Sequence, residues 1–521
     1  MSWVLTTPLA IPFVTAVAAY LLRHGPHAAW ISVAGAAAQL VASGVLMVAV
    51  LNEGVIAGQM GAWPAPFGIT LVADLLSAVM VVITAITALA VAVYALGDVS
   101  ETQERLGYHA LFQVLIAGVT GAFLTGDLFN LYVWFEVMLI ASFGLLVLGG
   151  SRAQLDGGIK YVTLNLVSTI LFLTGVGLLY GMTGTLNMAD LAVTVPQLEQ
   201  QGLLTVVAVL FMIAFGVKAA VFPLFFWLPA AYHTPAFSVS AVFAGLLTKV
   251  GVYALIRMFT LVFTGDVAFT HTILLWVAGF TMVTGVLGAA AQQDFRKILS
   301  FHIVSQIGYM ILGLALFTPL AIVGAVFYLV HHIIVKANLF LVSGVANRLT
   351  GSTELGRIGG LYASAPLLAA LFLVPAFSLA GFPPLSGFWA KYVVVKASLD
   401  AEAWILAAAA LVVGALTIYS MTKIWAEAFW KPHPDGTAPA LSAIPVRERV
   451  ALVAPIAGLA ALTCVIGFAP EPFVRFAEAS AAQLIDPSDY IATVLGPDAA
   501  PGTDAREVAL APATGVAESP R

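Results

Sequence analysis

The chain has 521 residues, of which 9% are charged and 61% are hydrophobic, and its formal net charge is −5. The surface of a soluble domain carries about 25–35% charged residues, so this composition excludes a water-soluble enzyme. The sequence has no basic patch to neutralise phosphates, which excludes a nucleic-acid-binding protein. The single cysteine, Cys464, excludes a disulfide scaffold and a cysteine-ligated iron–sulfur cluster. What remains is an all-α protein that crosses a membrane many times.

Apolar runs of about 20 residues predict membrane-spanning helices, and their continuity disfavours a β-barrel, whose strands alternate in polarity. We predict about fourteen spans, at residues 2–22, 28–51, 68–95, 107–125, 128–149, 160–182, 203–228, 238–262, 268–290, 298–316, 319–344, 364–395, 403–426 and 448–469. The first run has no basic residues before it, so we interpret it as a span rather than a cleaved signal peptide.

Basic residues predict which side of the membrane each loop faces, because Lys and Arg concentrate in cytoplasmic loops. With the N-terminus outside, twelve basic residues lie in inner loops, whereas the outer loops between spans carry only Lys396. An even number of spans then places the C-terminus outside as well. From about Glu471 the chain is rich in Ala, Pro, Asp and Glu, which predicts a polar and partly disordered tail.

Ionisable side chains inside the spans are the strongest functional signal, because each costs about 2.5–3.5 kcal/mol to insert. Five lie deep in their spans, and a histidine lies one helical turn before the fourth of them: Glu136, Lys218, Lys249, Lys336, Lys391 and His332. Asp74 and Arg257 lie nearer the outer ends of spans, where we expect them to be anchors.

Two interpretations of these deep residues remain open. In the first, each is satisfied locally, by reaching the membrane edge, by bonding a carbonyl group or, for His332, by packing as a core histidine. In the second they exchange protons, since burial favours a neutral lysine and a nearby carboxylate favours a charged one. We favour a proton relay. Four lysines and one carboxylate do not supply the oxygen ligands that Na⁺ prefers, so we predict no metal site.

Two spans contain prolines at membrane depth, and proline breaks a helix by removing a backbone donor. Pro223 follows Lys218 by five residues, and Pro383 and Pro384 precede Lys391. The broken segments are similar, reading Phe-Pro-Leu-Phe-Phe-Trp-Leu-Pro-Ala at 222–230 and Phe-Pro-Pro-Leu-Ser-Gly-Phe-Trp-Ala at 382–390. They are 160 residues apart, which is about five spans. Paired broken helices are typical of transport paths.

We therefore predict two inverted five-helix repeats, with spans seven and twelve broken. The predicted organisation is a three-helix segment at 1–106, repeats at 107–262 and 268–426, a loop and last helix at 427–469, and a polar tail at 470–521.

Several strings in the sequence resemble those of the antiporter-like subunits of respiratory complex I. That family includes the large subunits of Mrp-type Na⁺/H⁺ antiporters and of membrane-bound hydrogenases. Besides the residues above, the matching strings are His331-His-Ile-Ile-Val-Lys-Ala-Asn-Leu-Phe340, Phe382-Pro-Pro-Leu-Ser-Gly-Phe-Trp-Ala-Lys391, Asp294-Phe-Arg-Lys-Ile-Leu-Ser300, Ser305-Gln-Ile-Gly-Tyr-Met310 and Arg357-Ile-Gly-Gly-Leu361. The resemblance covers about residues 65–425. In sequence and length the chain most resembles the D-type subunits of Mrp antiporters.

The resemblance implies a role for each matching residue. Glu136 and Lys218 would form an ion pair that controls protonation of the lysine, and Lys249 would pass protons toward the centre. Beyond Lys249, a histidine and Lys336 would join the two halves, and Lys391 would lead to the opposite surface. The histidine is doubled, which leaves open whether the first or the second ring takes part. Residues that would line a central water chain are His302, Ser305 and His331.

The resemblance also implies a secondary transporter subunit rather than an enzyme, without a bound cofactor, in the inner (cytoplasmic) membrane of a prokaryote. Its partners would be membrane subunits of the Mrp A, B, C, E, F and G types, and it would transport protons in exchange for Na⁺. A proton-pumping subunit of complex I or of a hydrogenase would look almost the same, because their redox centres lie on other subunits. An electron carrier with haem between His302 and His332 is a third interpretation, which we disfavour.

Overall fold

The structure is a computed structural model that describes residues 2–25 and 27–499. Its apolar segments form helices because a helix satisfies its own backbone polar groups, which a bilayer cannot do. Within the described residues, twelve helices are long and apolar enough to cross a membrane. Two shorter apolar helices, Tyr108–Leu124 and Pro366–Ala380, lie at the positions of the predicted fourth and twelfth spans. The total of fourteen spans stays a prediction.

The N-terminal segment combines four helices with a small hairpin. Its elements are α1 (Ser2–Leu21), α2 (Ala28–Glu53), β1 (Ile56–Gln59), a 3₁₀ turn (Met60–Ala62), β2 (Thr70–Ala73), α3 (Leu75–Asp98) and α4 (Glu101–Arg105). The two strands are antiparallel, with Ile56 opposite Ala73 and Gln59 opposite Thr70.

The region of the first predicted repeat consists of α5 (Tyr108–Leu124), α6 (Leu128–Val147), α7 (Arg152–Thr183), α8 (Met188–Thr194), a 3₁₀ turn (Val195–Gln197), α9 (Gln201–Ala219), α10 (Trp227–Ala231), α11 (Phe237–Val242), a π-helical turn (Phe243–Leu247) and α12 (Thr248–Leu261). The region of the second consists of α13 (Val267–Ala291), α14 (Phe295–Leu316), α15 (Pro319–Thr350), α16 (Leu361–Ser364), α17 (Pro366–Ala380), α18 (Ser386–Asp400), α19 (Trp404–Ile424) and a π-helical turn (Trp425–Trp430). The remaining elements are a 3₁₀ turn (Leu441–Ala443), α20 (Val446–Phe468), α21 (Glu471–Ile485), α22 (Ser488–Leu495) and a 3₁₀ turn (Pro497–Ala499).

The helical structure is interrupted at both predicted breaks. The residue after α9 is Ala220, with φ 62°, and the residue after α17 is Gly381, with φ 93°. A left-handed residue at this position ends an α-helix, and glycine adopts it without a Cβ penalty. Across the first break the indole Nε1 of Trp227 donates to the carbonyl of Val217 at 3.0 Å, which replaces one lost helical bond.

The second long helix of each predicted repeat begins in the same way. Asp127 caps α6 and Asp294 caps α14, each accepting a hydrogen bond from the backbone N–H three residues later. Beside each cap, two backbone bonds run to the loop after the next long helix: Leu128 to Leu186, Met188 to Gly126, Phe295 to Thr353 and Leu355 to Gln293. Every residue of the first set lies 167 positions before its counterpart in the second, so the two regions share a backbone frame.

The predicted polar and partly disordered tail is wrong for residues 471–499, where α21 and α22 form. One face of α21 buries Ala477, Ala481 and Leu484, an amphipathic spacing that the overall composition conceals. The side chain of Gln483 accepts a hydrogen bond from the backbone N–H of Leu75 at 3.0 Å, which fixes α21 to the start of α3. Residues 500–521 of the predicted tail lie outside the described residues.

Asp74 and Arg257 form a buried ion pair, which corrects the expectation that they are anchors. Arg257 Nη1 lies 2.7 Å from Asp74 Oδ2, and the two side chains are 5% and 2% exposed. The guanidinium also donates to the hydroxyl of Tyr253 at 3.2 Å and lies 5.3 Å from the ring centre of Tyr490. The pair therefore joins α3, α12 and α22.

We predict that Asp74→Ala lowers the thermal unfolding temperature of the purified protein in detergent. Removal of one partner leaves a buried charge uncompensated, which costs about 3–5 kcal/mol. The matched control is Asp156→Ala, because the Asp156–Lys160 pair is solvent-exposed and such pairs contribute about 0–1 kcal/mol. Equal unfolding temperatures for the two variants would contradict the prediction.

Candidate functional site

Glu136 on α6 and Lys218 on α9 lie near the first break. The Glu136 carboxylate accepts a hydrogen bond from the Thr169 hydroxyl of α7 at 2.6 Å. The Lys218 ammonium lies 5.6 Å from the ring centre of Phe135. In the described part of the chain, Glu136 and Lys218 interact electrostatically at longer range and not in the direct ion pair that the resemblance implies. The threonine hydroxyl, not the ammonium, holds the carboxylate.

Lys249 binds a carbonyl in an irregular stretch of helix. The π-helical turn Phe243–Leu247 precedes it, and such a turn shifts the main-chain hydrogen bonds by one residue. The Lys249 ammonium donates to the carbonyl of Ala244, within this turn, at 2.5 Å. The side chain is 0% exposed, so this carbonyl is a neutral partner for a fully buried amine.

The centre of the site lies between α14 and α15. Lys336 donates to the carbonyl of Leu299 at 3.2 Å. Among the described residues, both ring nitrogens of His302 and of His332 lack a hydrogen-bond partner, although both rings are fully buried. Buried polar atoms are normally satisfied by protein or ordered water, so these rings have donors and acceptors free for a short water chain. The hydroxyl of Ser305 instead donates to the carbonyl of Met282, and its predicted role in lining water stays a prediction.

The two consecutive histidines face different neighbours. His331 Nδ1 lies 2.8 Å from the Ser386 hydroxyl of α18, whereas His332 interacts electrostatically with Lys249 and Lys336. Both rings lie near the Tyr328 ring, with centres 5.7 and 6.4 Å from it, but their polar neighbours differ. The geometry groups the second histidine with the lysines and the first with the second break.

Lys391 lies beside the second break and borders a cavity. Its ammonium donates to the carbonyl of Ala380, the last residue of α17, at 3.1 Å. The cavity has a volume of about 590 Å³ and lies between α18 and α19. Lys396 and Asp400, paired at 2.5 Å, also line it. The break and the cavity give Lys391 surroundings that the central lysines lack, since Lys391 is partly exposed and Lys249 and Lys336 are not.

The sequence analysis did not predict three features of the site. The π-helical turn carries no proline or other signal, and the pairing of Thr169 with Glu136 joins residues 33 positions apart. A third feature is Tyr328, whose hydroxyl donates to the Gln306 side chain at 2.6 Å. Tyr328 precedes His332 by four residues, which places the two side chains on one face of α15. In the sequence, only this spacing indicated that Tyr328 belongs to the site.

The fold and site define a polytopic membrane protein of the transporter class, with buried amines and imidazoles between two broken helices. Residues 125–417 match the family model described as NADH:quinone oxidoreductase/Mrp antiporter, TM. The chain belongs to this family, as the sequence predicts.

Curated relatives and solved structures agree with this assignment. The chain is 48% identical to the D-type subunit of the Na⁺/H⁺ antiporter of Alkalihalophilus pseudofirmus, covering 94% of this chain and 98% of the relative. It is 40% identical to the corresponding D-type subunit of Bacillus subtilis, over 94% of this chain and 98% of that one. A chain of the Mrp complex from Dietzia sp. superposes with a TM-score of 0.88 at 34% identity, with 94% and 99% covered. A chain of respiratory complex I from Thermus thermophilus superposes with a TM-score of 0.78 at 26% sequence identity. The superposition covers 92% of this chain and 99% of that one. The chain is therefore an antiporter-like membrane subunit.

We predict that a cysteine at position 391 reacts with a small water-soluble methanethiosulfonate reagent, because the cavity reaches that side chain. In a Cys464→Ala background, Lys391→Cys should be labelled at least about tenfold faster than Lys336→Cys, which is buried. Mass spectrometry of the intact protein in proteoliposomes measures both rates. Similar rates at the two positions would show that the cavity does not open to water.

Proposed function

We propose that the chain is the proton-translocating subunit of a multisubunit Na⁺/H⁺ antiporter. The proton path consists of Glu136, Lys218, Lys249, His332, Lys336 and Lys391. The observation that carries this proposal is the pair of fully buried rings of His302 and His332, which have no hydrogen-bond partner among the described residues. They lie near Lys249 and Lys336, whose hydrogen bonds within the same residues go to main-chain carbonyls. Buried ionisable groups in series are the usual means of moving protons through a membrane protein.

Neutral partners suit a lysine that changes its protonation state. A carbonyl oxygen accepts an N–H from a charged ammonium and from a neutral amine alike. A buried carboxylate partner would instead be left as an uncompensated anion after the lysine lost its proton. The carbonyls of Ala244, Leu299 and Ala380 therefore let Lys249, Lys336 and Lys391 give up and regain protons without stranding a charge.

The Glu136 end supplies the charge that biases the relay. Its carboxylate is fixed by Thr169, while the Lys218 ammonium makes a cation–π contact with Phe135. A small movement of Lys218 toward or away from the fixed carboxylate changes how strongly its charged form is favoured. The bias then passes inward to Lys249 and the central water chain.

The Lys391 end connects the relay to the surface. The cavity beside it extends to Lys396 and Asp400, which the predicted topology places outside. We also propose that the two five-helix regions are inverted repeats, supported by the constant spacing of 167 residues between matching backbone bonds. An odd number of spans per repeat reverses its orientation, so the broken helices face opposite sides of the membrane.

The relatives named as D-type subunits of Na⁺/H⁺ antiporters support Na⁺ as the exchanged cation. The superposition on a chain of the Mrp complex supports assembly with other membrane subunits, which we propose to be of the A, B, C, E, F and G types. We place the chain in the cytoplasmic membrane of a prokaryote, with both termini outside, as a transporter subunit rather than an enzyme. The likeness to a chain of complex I favours a second candidate, a proton-pumping subunit of a redox complex.

We predict that Lys218→Ala abolishes Na⁺-dependent proton exchange, because it removes the amine next to Glu136. The chain is expressed with its neighbouring subunits in a host without Na⁺/H⁺ antiporters, and inverted vesicles are acidified by respiration. Addition of Na⁺ should collapse the pH gradient, reported by a pH-sensitive dye, for the wild-type chain and not for the variant.

The matched control is Lys160→Ala, which removes an exposed lysine that pairs with Asp156 and should leave exchange unchanged. Antiport by the Lys218→Ala variant in an assembled complex would refute the proton path. A wild-type complex that assembles but does not respond to Na⁺, K⁺ or Li⁺ would favour the redox-pump candidate.

We also predict that the charge of Glu136, not its hydrogen bond, is required. Glu136→Gln keeps an acceptor for Thr169 but removes the anion, and should reduce the exchange rate at least about tenfold. Thr169→Val keeps the charge and the side-chain shape, and should reduce it only about threefold. Equal losses of exchange rate in the two variants, measured in the same vesicles, would contradict the prediction that the charge matters more than the hydrogen bond.

A further inference from the structure

We infer that His331, Ser386 and Ser378 form a clasp that holds the second break closed and thereby positions Lys391. This inference deepens the proposed function, on which it rests, by giving the first of the two consecutive histidines a positioning role outside the proton path. All three side chains are at most 1% exposed, so their bonds to one another are shielded from solvent.

The clasp is a chain of hydrogen bonds that crosses the break. Ser378, on α17, and Ser386, the first residue of α18, place their hydroxyl oxygens 3.0 Å apart. His331 Nδ1 on α15 lies 2.8 Å from the Ser386 hydroxyl. The backbone N–H of Gly387 donates to the Ser378 hydroxyl at 3.1 Å. Both halves of the interrupted helix are thus joined to each other and to α15.

The donor inventory allows this chain of hydrogen bonds to run in either direction, because each serine hydroxyl donates one proton and can accept two. Gly387 N–H is a donor only, so the Ser378 oxygen accepts from it and the Ser378 proton remains free for Ser386. In one direction, Ser386 then donates to His331 Nδ1. A neutral imidazole with its proton on the other nitrogen completes the series, so the clasp requires no charge on the histidine.

A second set of contacts closes a loop from the clasp back to Lys391. The Tyr328 ring meets the His331 ring edge-on at 5.7 Å and stacks on the Tyr309 ring at 5.2 Å. The Lys391 ammonium lies 5.2 Å from the centre of the Tyr309 ring and bonds to Ala380 on the other side. A shift at His331 therefore reaches the lysine through the break and through the two tyrosines.

Nε2 of His331 has no hydrogen-bond partner among the described residues, but the surroundings of this ring do not suit proton transfer. It borders a cavity of about 30 Å³ whose other lining residues are all apolar, and a buried water needs two to four polar partners. The first break, by comparison, is bridged by the indole of Trp227. Among the described residues, the serine–histidine clasp thus belongs to the second break and not to the first.

The test compares two variants of nearly equal shape. His331→Asn keeps a polar atom at the position of Nδ1, whereas His331→Leu places a methyl group there. In the full complex, His331→Leu should lower the maximal rate of Na⁺-dependent exchange about tenfold without changing the apparent KM for Na⁺. The asparagine variant should retain most of the wild-type rate. Adding Ser386→Ala to His331→Leu should cause a smaller loss than Ser386→Ala causes in the wild-type chain, because the two changes share the bond between His331 and Ser386.

A second readout does not depend on transport. Ala415 lines the cavity beside Lys391, so Ala415→Cys in a Cys464→Ala background reports the shape of that cavity through its rate of labelling with a methanethiosulfonate reagent. His331→Leu should change this rate at least about threefold, and His331→Asn should leave it unchanged.

Each outcome separates the clasp from the proposed function. Loss of exchange in both His331 variants with unchanged labelling would overturn the inference, because the ring itself would then be transferring protons. Unchanged exchange and labelling in both variants would overturn it as well. A complex without any Na⁺ response, in which labelling still differs between leucine and asparagine, would refute the proposed function and support the clasp.

Discussion

A bilayer offers no water to a buried polar group, and this constraint decides where the ionisable residues of the site can lie. A regular α-helix uses its carbonyls for its own hydrogen bonds, so a buried amine needs a place where the helix is irregular or a carbonyl can accept twice. Lys249 bonds to a carbonyl in an irregular stretch of helix, the π-helical turn, and Lys391 bonds to a carbonyl at the end of α17. Lys336 uses the second lone pair of the Leu299 carbonyl in a neighbouring helix. Two of these buried amines therefore depend on irregular backbone, and the third depends on a helical carbonyl that accepts twice.

Burial along the site follows the same constraint. Glu136, Lys218 and Lys391, at the two ends, are partly exposed, whereas the amines and rings between them are 0% exposed. A charge at either end can be stabilised by water or by a partner subunit, whereas a charge at the centre has main-chain carbonyls and the proposed short water chain to stabilise it. Two like charges close together in that low-dielectric centre repel strongly. A proton arriving at one central group is thus disfavoured while its neighbour is charged, which couples the groups in sequence.

The sequence predicts those parts of the structure that depend on local pattern. Apolar runs located the helices, and prolines located both interruptions. The buried ionisable residues were found because they break an apolar run. What could not be predicted depends on contacts between distant positions, such as the pairing of Asp74 with Arg257, 183 residues away. The prediction of a disordered tail was wrong for a related reason. Ala477 and Leu484 belong to the apolar face of a helix, but the composition around them is largely polar and conceals that face. The π-helical turn has no local signal, and only the surrounding packing specifies it.

The regions of the two predicted repeats share a backbone frame, but different chemistry closes their breaks. Trp227 at the first break is a donor only, so its bond to the Val217 carbonyl has one possible direction. The serine hydroxyls at the second break can donate or accept, and His331 can exchange tautomers, so that clasp can keep its bonds whichever way its protons point. A break closed by reversible donors can keep its bonds when the charge of the adjacent Lys391 changes, whereas at the first break the carboxylate of Glu136, held by Thr169, lies near Lys218 and offsets its charge. The two breaks thus share a backbone frame, and their side chains determine how each half accommodates the charge of its lysine.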